Sequence, residues 1–113
     1  MQYAVETWPD FTSLTLQEAA LDEGISSDLK MLAVKLIRDG VRSLLFNLEH
    51  CTSCDDSGLG ALLIANRLCK NAGGRCILAS VQDSVLQRIH SHQLEAALTI
   101  VANRSDAESM LRA

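Results

Sequence analysis

The chain has 113 residues, of which 48% are apolar and 21% charged, enough for one domain with an ordinary core; this balance excludes a disordered or low-complexity protein. A net charge of −4 and an isoelectric point near 5.2 argue against a nucleic-acid surface, because a phosphate backbone is held by clustered Lys and Arg. Here Lys30, Lys35, Arg38 and Arg42 are spread along one stretch, which reads as a solvated helix face.

The start, MQYAVETWPD, lacks the basic and apolar segments of a signal peptide, and no uncharged segment approaches bilayer length. A cytosolic protein without a membrane partner is expected, with its four cysteines as free thiols. QYAVETW and FTSLTLQ are two β-branched and aromatic runs separated by Pro9 and Asp10, residues suited to a turn, and predict a hairpin. After EAALDEG the period changes to 3.6. Leu29, Leu32, Ala33, Leu36 and Ile37 share one stripe of a helix over roughly 26 to 39, with Ser26 as its expected cap and Gly40 at its end.

SLLFNL is an apolar run of strand length and leads into CTSCDDSGLG, Cys51 to Gly60. From Gly58 the residues Leu59, Leu62, Leu63 and Cys69 recur at helical spacing until Gly73 and Gly74. RCILAS is a further buried strand. Ser80 to His92 reads as a short helix with Val85, Leu86 and Ile89 inward, and LTIV as the last strand. Ser105 and Glu108, three apart, form an expected capping box for a final helix that packs Met110 and Leu111. The order ββαβαβαβα predicts an α/β fold with parallel neighbours joined by crossovers and an antiparallel part from the hairpin. In such sheets ligands and partners meet the carboxyl ends of strands, where CTSCDDSGLG lies.

That decapeptide supports several chemistries. Ser57 before a helix is either an N-cap or an exposed hydroxyl open to modification. Asp55 and Asp56 complement the helix dipole, or orient Ser57 for a partner. Cys51 and Cys54 form a Cys-x-x-Cys at a strand end, the arrangement of thioredoxin-like thiol enzymes, but the only proline is Pro9 and the helix signal starts near Ser57. His50 with the two cysteines, or His90 with His92, does not complete a zinc set, so no metal is expected. Phosphate-loop and nucleophile-elbow motifs are absent, and an enzyme with its own active site is not expected.

LLFNLEHCTSCDDSGLGALL resembles the signature of the STAS domain of bacterial anti-sigma-factor antagonists, in which an apolar strand ends in Asn or Asp-Leu and Asp-Ser-(Ser/Thr)-Gly-Leu-Gly opens a helix. The likeness continues through AGGRCILAS and the last helices, and more weakly back to ALDEGISSDL. It implies one STAS domain over 1–113, with a mixed sheet of four to five strands and about four flanking helices. It also implies a cytoplasmic, non-enzymatic, phosphorylation-controlled antagonist without a cofactor, which sequesters an anti-sigma factor serine kinase of the GHKL type in a partner-switching pathway. The hydroxyl immediately before Gly-Leu-Gly, the family's phosphoacceptor, is Ser57, and the preceding acid is Asp55. Asp56 stands where the family often has Ser, and Ala19, Ala20, Leu21 and Asp22 stand where it has Gly-Glu-Leu-Asp. The implied contact surface is Asp22, Asp55, Asp56, Ser57, Gly58, Leu59 and Gly60, on a monomer or weak homodimer. Cys51, Cys54, Cys69 and Cys76 fall at aliphatic positions of the family, implying core thiols. A STAS scaffold in a stress-signalling or transporter-associated complex is the alternative, and a thiol enzyme the third reading.

Overall fold

A computed structural model describes residues 1–112. Strands β1 (Tyr3–Thr7) and β2 (Thr12–Leu16) form the hairpin, closed over its turn by a Trp8 N–H to Phe11 C=O bond of 2.9 Å and by stacking of those two rings at 5.0 Å. Helix α1 (Glu23–Arg38), β4 (Leu44–Asn47), α2 (Asp56–Asn71), β6 (Cys76–Ala79), α3 (Asp83–Ser91), β7 (Thr99–Val101) and α4 (Arg104–Arg112) follow; between them lie two very short strands, β3 (Ala20–Leu21) and β5 (Ser53–Cys54). The main sheet has the order β1-β2-β4-β6-β7, antiparallel only between β1 and β2. This is the mixed five-stranded sheet with four helices that the alternation of patterns foretold.

The apolar run Leu44–Asn47 is fully buried because helices cover both faces of the sheet. Strand alternation divides it: Leu44 and Phe46 enter the larger core with Leu14, Leu16, Leu29, Leu62 and Ile89, whereas Leu45 joins Ile77, Ala107 and Leu111 beneath α4. All four cysteines are free and buried, as core thiols should be. Gly40 and Gly73, in the turns after α1 and α2, take φ of +104° and +85°, which side-chain-bearing residues rarely adopt.

Three helix starts differ from the sequence expectation, those of α1 and α4 for one reason. The expected caps Ser26 and Ser105 lie inside the first turns, and a side chain further upstream reaches the free N–H groups. Asp22 accepts from the Ile25 N–H at 3.2 Å and starts α1 at Glu23, while Ser26 is buried and donates to the Glu23 carbonyl at 2.9 Å. Asn103 accepts from the Asp106 N–H at 2.9 Å, and Glu108 binds Arg104 Nε at 3.0 Å instead of closing a capping box. Helix α3 begins at Asp83, three residues later than expected, with Gln82 as a cap that makes no side-chain bond to the helix.

Candidate functional site

The strands β3 and β5 are too short to be seen as periodic patterns, yet they build the site. They pair in parallel, Ala20 with Ser53 and Leu21 with Cys54. The Ala19 carbonyl accepts from the Thr52 N–H at 2.8 Å, and the Leu21 carbonyl from the Asp55 N–H at 3.2 Å. Each strand runs directly into a helix, so the pairing sets the first turns of α1 and α2 side by side. Asp22 caps one, and Asp55 caps the other by accepting from the Gly58 N–H at 2.9 Å.

Ser57 is therefore not the cap of α2. It is half-buried, occupies the helix's second position, and its Oγ donates to Asp55 Oδ1 at 2.7 Å. This hydroxyl, followed by the Gly58 N–H, holds the Asp55 carboxyl below its ordinary range, with a smaller contribution from Arg88. Exposure to solvent acts in the same direction, so Asp55 is an anion at neutral pH.

Asp56, the first residue of α2, turns the other way. Its Oδ1 accepts from Arg88 Nη2 at 2.8 Å and lies 3.1 Å from His92 Nε2. Both partners belong to the C-terminal end of α3, whose N-terminal end is tied to the same loop. Ser84 Oγ donates to the Thr52 carbonyl at 2.6 Å and Gln82 Nε2 to the Glu49 carbonyl at 2.5 Å. Sequence reasoning missed Arg88 and the part played by His92; their spacing of four on one short helix was the available signal.

The two residues after Ser57 face inward, which corrects part of the expected contact surface. Leu59 is 3% exposed and lies in the core, out of a partner's reach. Gly58 is buried, and a Cβ there would collide with the Leu21 carbonyl oxygen and stand 2.9 Å from Cys54 Sγ. Gly58 has no positive φ, so close approach of β3 to α2, rather than unusual backbone angles, requires glycine. Gly60 is half-buried with nothing within 4 Å of a Cβ, and so remains at the surface.

Burial pushes the Cys51 and Cys54 thiols up to about 11, assisted by Glu18 at Cys51 and by Asp55 at Cys54. A redox or nucleophilic cysteine needs the opposite shift. Among the described residues no three His, Cys, Asp or Glu side chains group closely enough to hold a metal ion, and His50 lies against Glu49 at 3.3 Å. The depression at this end holds about 160 Å³ and is lined by Leu21, Asp22, Cys54, Asp55 and Arg88 among others, smaller than the ~300 Å³ at which small-molecule pockets begin.

A five-stranded sheet, with a clasp of two short strands that sets two acid-capped helix tips together, defines an α/β domain with an exposed acidic rim and no deep cavity at that rim. The chain belongs to the STAS domain family, which matches over residues 2–107. Among solved structures, an anti-sigma factor antagonist from Mycobacterium paratuberculosis superposes with a TM-score of 0.85 at 15% identity, covering 99% of this chain and 94% of that one. The Bacillus cell fate determinant SpoIIAA in its phosphorylated form gives 0.74 at 18% identity, with coverage of 96% and 99%. A sulfate transporter family protein from Wolinella succinogenes gives 0.80 at 14% identity, with coverage of 95% and 88%. At these identities the likeness is one of fold. No curated protein sequence matches the chain. Among the described residues no helix is long and apolar enough to cross a membrane.

Proposed function

We propose that the protein is an anti-sigma-factor antagonist whose surface at Asp22, Asp55, Asp56, Ser57 and Gly60 captures a GHKL-type anti-sigma factor kinase and is released when that kinase phosphorylates Ser57. The observation that carries this reading is the position of the Ser57 hydroxyl. It lies in the first turn of α2, on the rim shared with Asp22 and Asp55, in a domain whose solved relatives include a phosphorylated one. A helix start favours added negative charge through its free N–H groups and dipole, so the domain tolerates a phosphate there.

In the reaction, Ser57 Oγ bonds to the γ-phosphorus of ATP as the bond to ADP breaks, and the hydroxyl proton passes to a base of the kinase and from there to solvent. Phosphorylation adds about −1.5 to −2 charges beside Asp55. Desolvation and repulsion then weaken the complex, tenfold for each ~1.4 kcal/mol lost. Incubation with a GHKL-type kinase co-purified from the native cell and Mg-ATP should add one phosphate, absent in Ser57→Ala, and Ser57→Asp should weaken the complex at least about tenfold. Modification at another residue, or unchanged binding by Ser57→Asp, overturns the reading. A scaffold role in a transporter-associated complex is the second reading, supported by the transporter-family neighbour; a large self-assembly in gel filtration would favour it.

A further inference from the structure

We propose that Arg88 and His92 form a clamp that Asp56 occupies while Ser57 is unmodified and that a phosphate on Ser57 takes over, releasing the Asp56 carboxylate to the surface. This deepens the phosphorylation reading above and rests on it.

A single carboxylate oxygen, Asp56 Oδ1, faces both groups, at 2.8 Å from Arg88 Nη2 and 3.1 Å from His92 Nε2. The Asp56 side chain is 74% exposed, so this pairing is held from α3 rather than enforced by burial around Asp56. The clamp is positioned in advance, because Ser84 and Gln82 pin the other end of α3 to the loop that leads into α2. Arg88 also lines the depression shared with Asp22 and Asp55, and its charge helps to keep Asp55 ionised; the guanidinium thus faces both acids that flank Ser57 in space.

Esterification of Ser57 Oγ removes the proton that it now gives to Asp55, and sets a phosphate against that carboxylate. The repulsion drives the modified side chain away from Asp55. At this rim Asp22, Asp55 and Asp56 repel the phosphate, Arg88 attracts it, and the His92 ring can donate an N–H to it. A phosphate brings more charge and more acceptor oxygens than a carboxylate, and a guanidinium matches it through paired N–H bonds. The exchange also resolves the presence of a permanent acid beside the switch. While Asp56 is clamped, its charge is answered inside the domain; once displaced, it joins the phosphate in repelling an acidic or apolar partner.

The test places phosphoserine at position 57 during translation, so that no kinase is needed, and follows the phosphate's second ionisation by ³¹P NMR. Compared with Arg88→Gln carrying the same phosphoserine, the otherwise unchanged protein should titrate about half a pH unit lower or more, since an adjacent cation favours the dianion. His92→Gln should shift it in the same sense as Arg88→Gln, and Lys70→Gln, at the far end of α2, should leave it unmoved. Arg88 is 42% exposed and its replacement leaves the core intact, which a melting curve checks. Coincident titrations with and without Arg88 overturn the clamp, even if Ser57→Asp still weakens the partner complex. A displaced titration supports the clamp even if no kinase modifies the protein.

Discussion

Replacing Gly58 by Ala should destabilise the protein, whereas the same change two residues later should stabilise it. Both positions are helical, and in a helix interior Ala is favoured over Gly by about 0.5–1 kcal/mol. At Gly60 nothing lies within 4 Å of the new methyl, so that gain is kept. At Gly58 the methyl would meet the Leu21 carbonyl oxygen, Leu21 Cγ at 2.9 Å and Cys54 Sγ at 2.9 Å. The first of these is backbone and has no rotamer by which to yield. Overpacking costs about 1–3 kcal/mol, and against backbone that cannot yield it belongs at about 2–3 kcal/mol, which leaves a net loss of about 1–2 kcal/mol after about 1 kcal/mol of helix gain is subtracted. In a domain of this size about 1 kcal/mol corresponds to about 4 °C or somewhat more, so Gly58→Ala should melt about 4–8 °C lower and Gly60→Ala about 2–4 °C higher. Because Leu21 accepts from the Asp55 N–H, Gly58→Ala should also loosen the β3–β5 clasp. Thermal melts and urea titrations of both variants measure this, with unchanged urea slopes showing that the denatured state is not responsible. Equal stability of the two variants would refute the claim that glycine is required by close approach.

Asp55→Asn keeps a good capping side chain but removes the charge. The Asp55 carboxyl is depressed in the folded state, so its stabilising effect is fully present above the ordinary carboxyl range and is lost as pH falls through the folded value. The urea midpoint of the native protein should exceed that of Asp55→Asn at pH 6 and the gap should close below about pH 4; a gap independent of pH would remove the charge from the account. Cys51 and Cys54, raised from 9.0 to about 11, should carry an about 100-fold lower thiolate fraction than an ordinary thiol near neutral pH, and react correspondingly slowly with Ellman's reagent in the folded protein. Rapid labelling that disappears in Cys51→Ser would restore the thiol-enzyme reading.

What the sequence determined by itself was carried by local periodicity. The 3.6-residue stripe from Leu29 to Ile37, the buried runs LLFN and CILA, and the glycines after α1 and α2 are consequences of neighbouring residues, and they suffice for the element order and the parallel sheet. The motif CTSCDDSGLG likewise placed Ser57 at a helix start, because Asp, Ser and Gly have local reasons to be there. Which side chain caps each helix was not legible. Asp22 and Ser26, or Asn103 and Ser105, are chemically equivalent candidates, and only the path of the chain decides which oxygen reaches a free N–H. The clasp and the clamp were hidden for a stronger reason: Leu21 meets Cys54, and Asp56 meets Arg88 and His92, across more than thirty residues of chain. Two-residue strands and single ion pairs leave no period to read. Tertiary packing turned Leu59 inward, made Gly58 a spacer and set Arg88 beside the two acids, because the energy of those contacts depends on distances that no stretch of sequence contains.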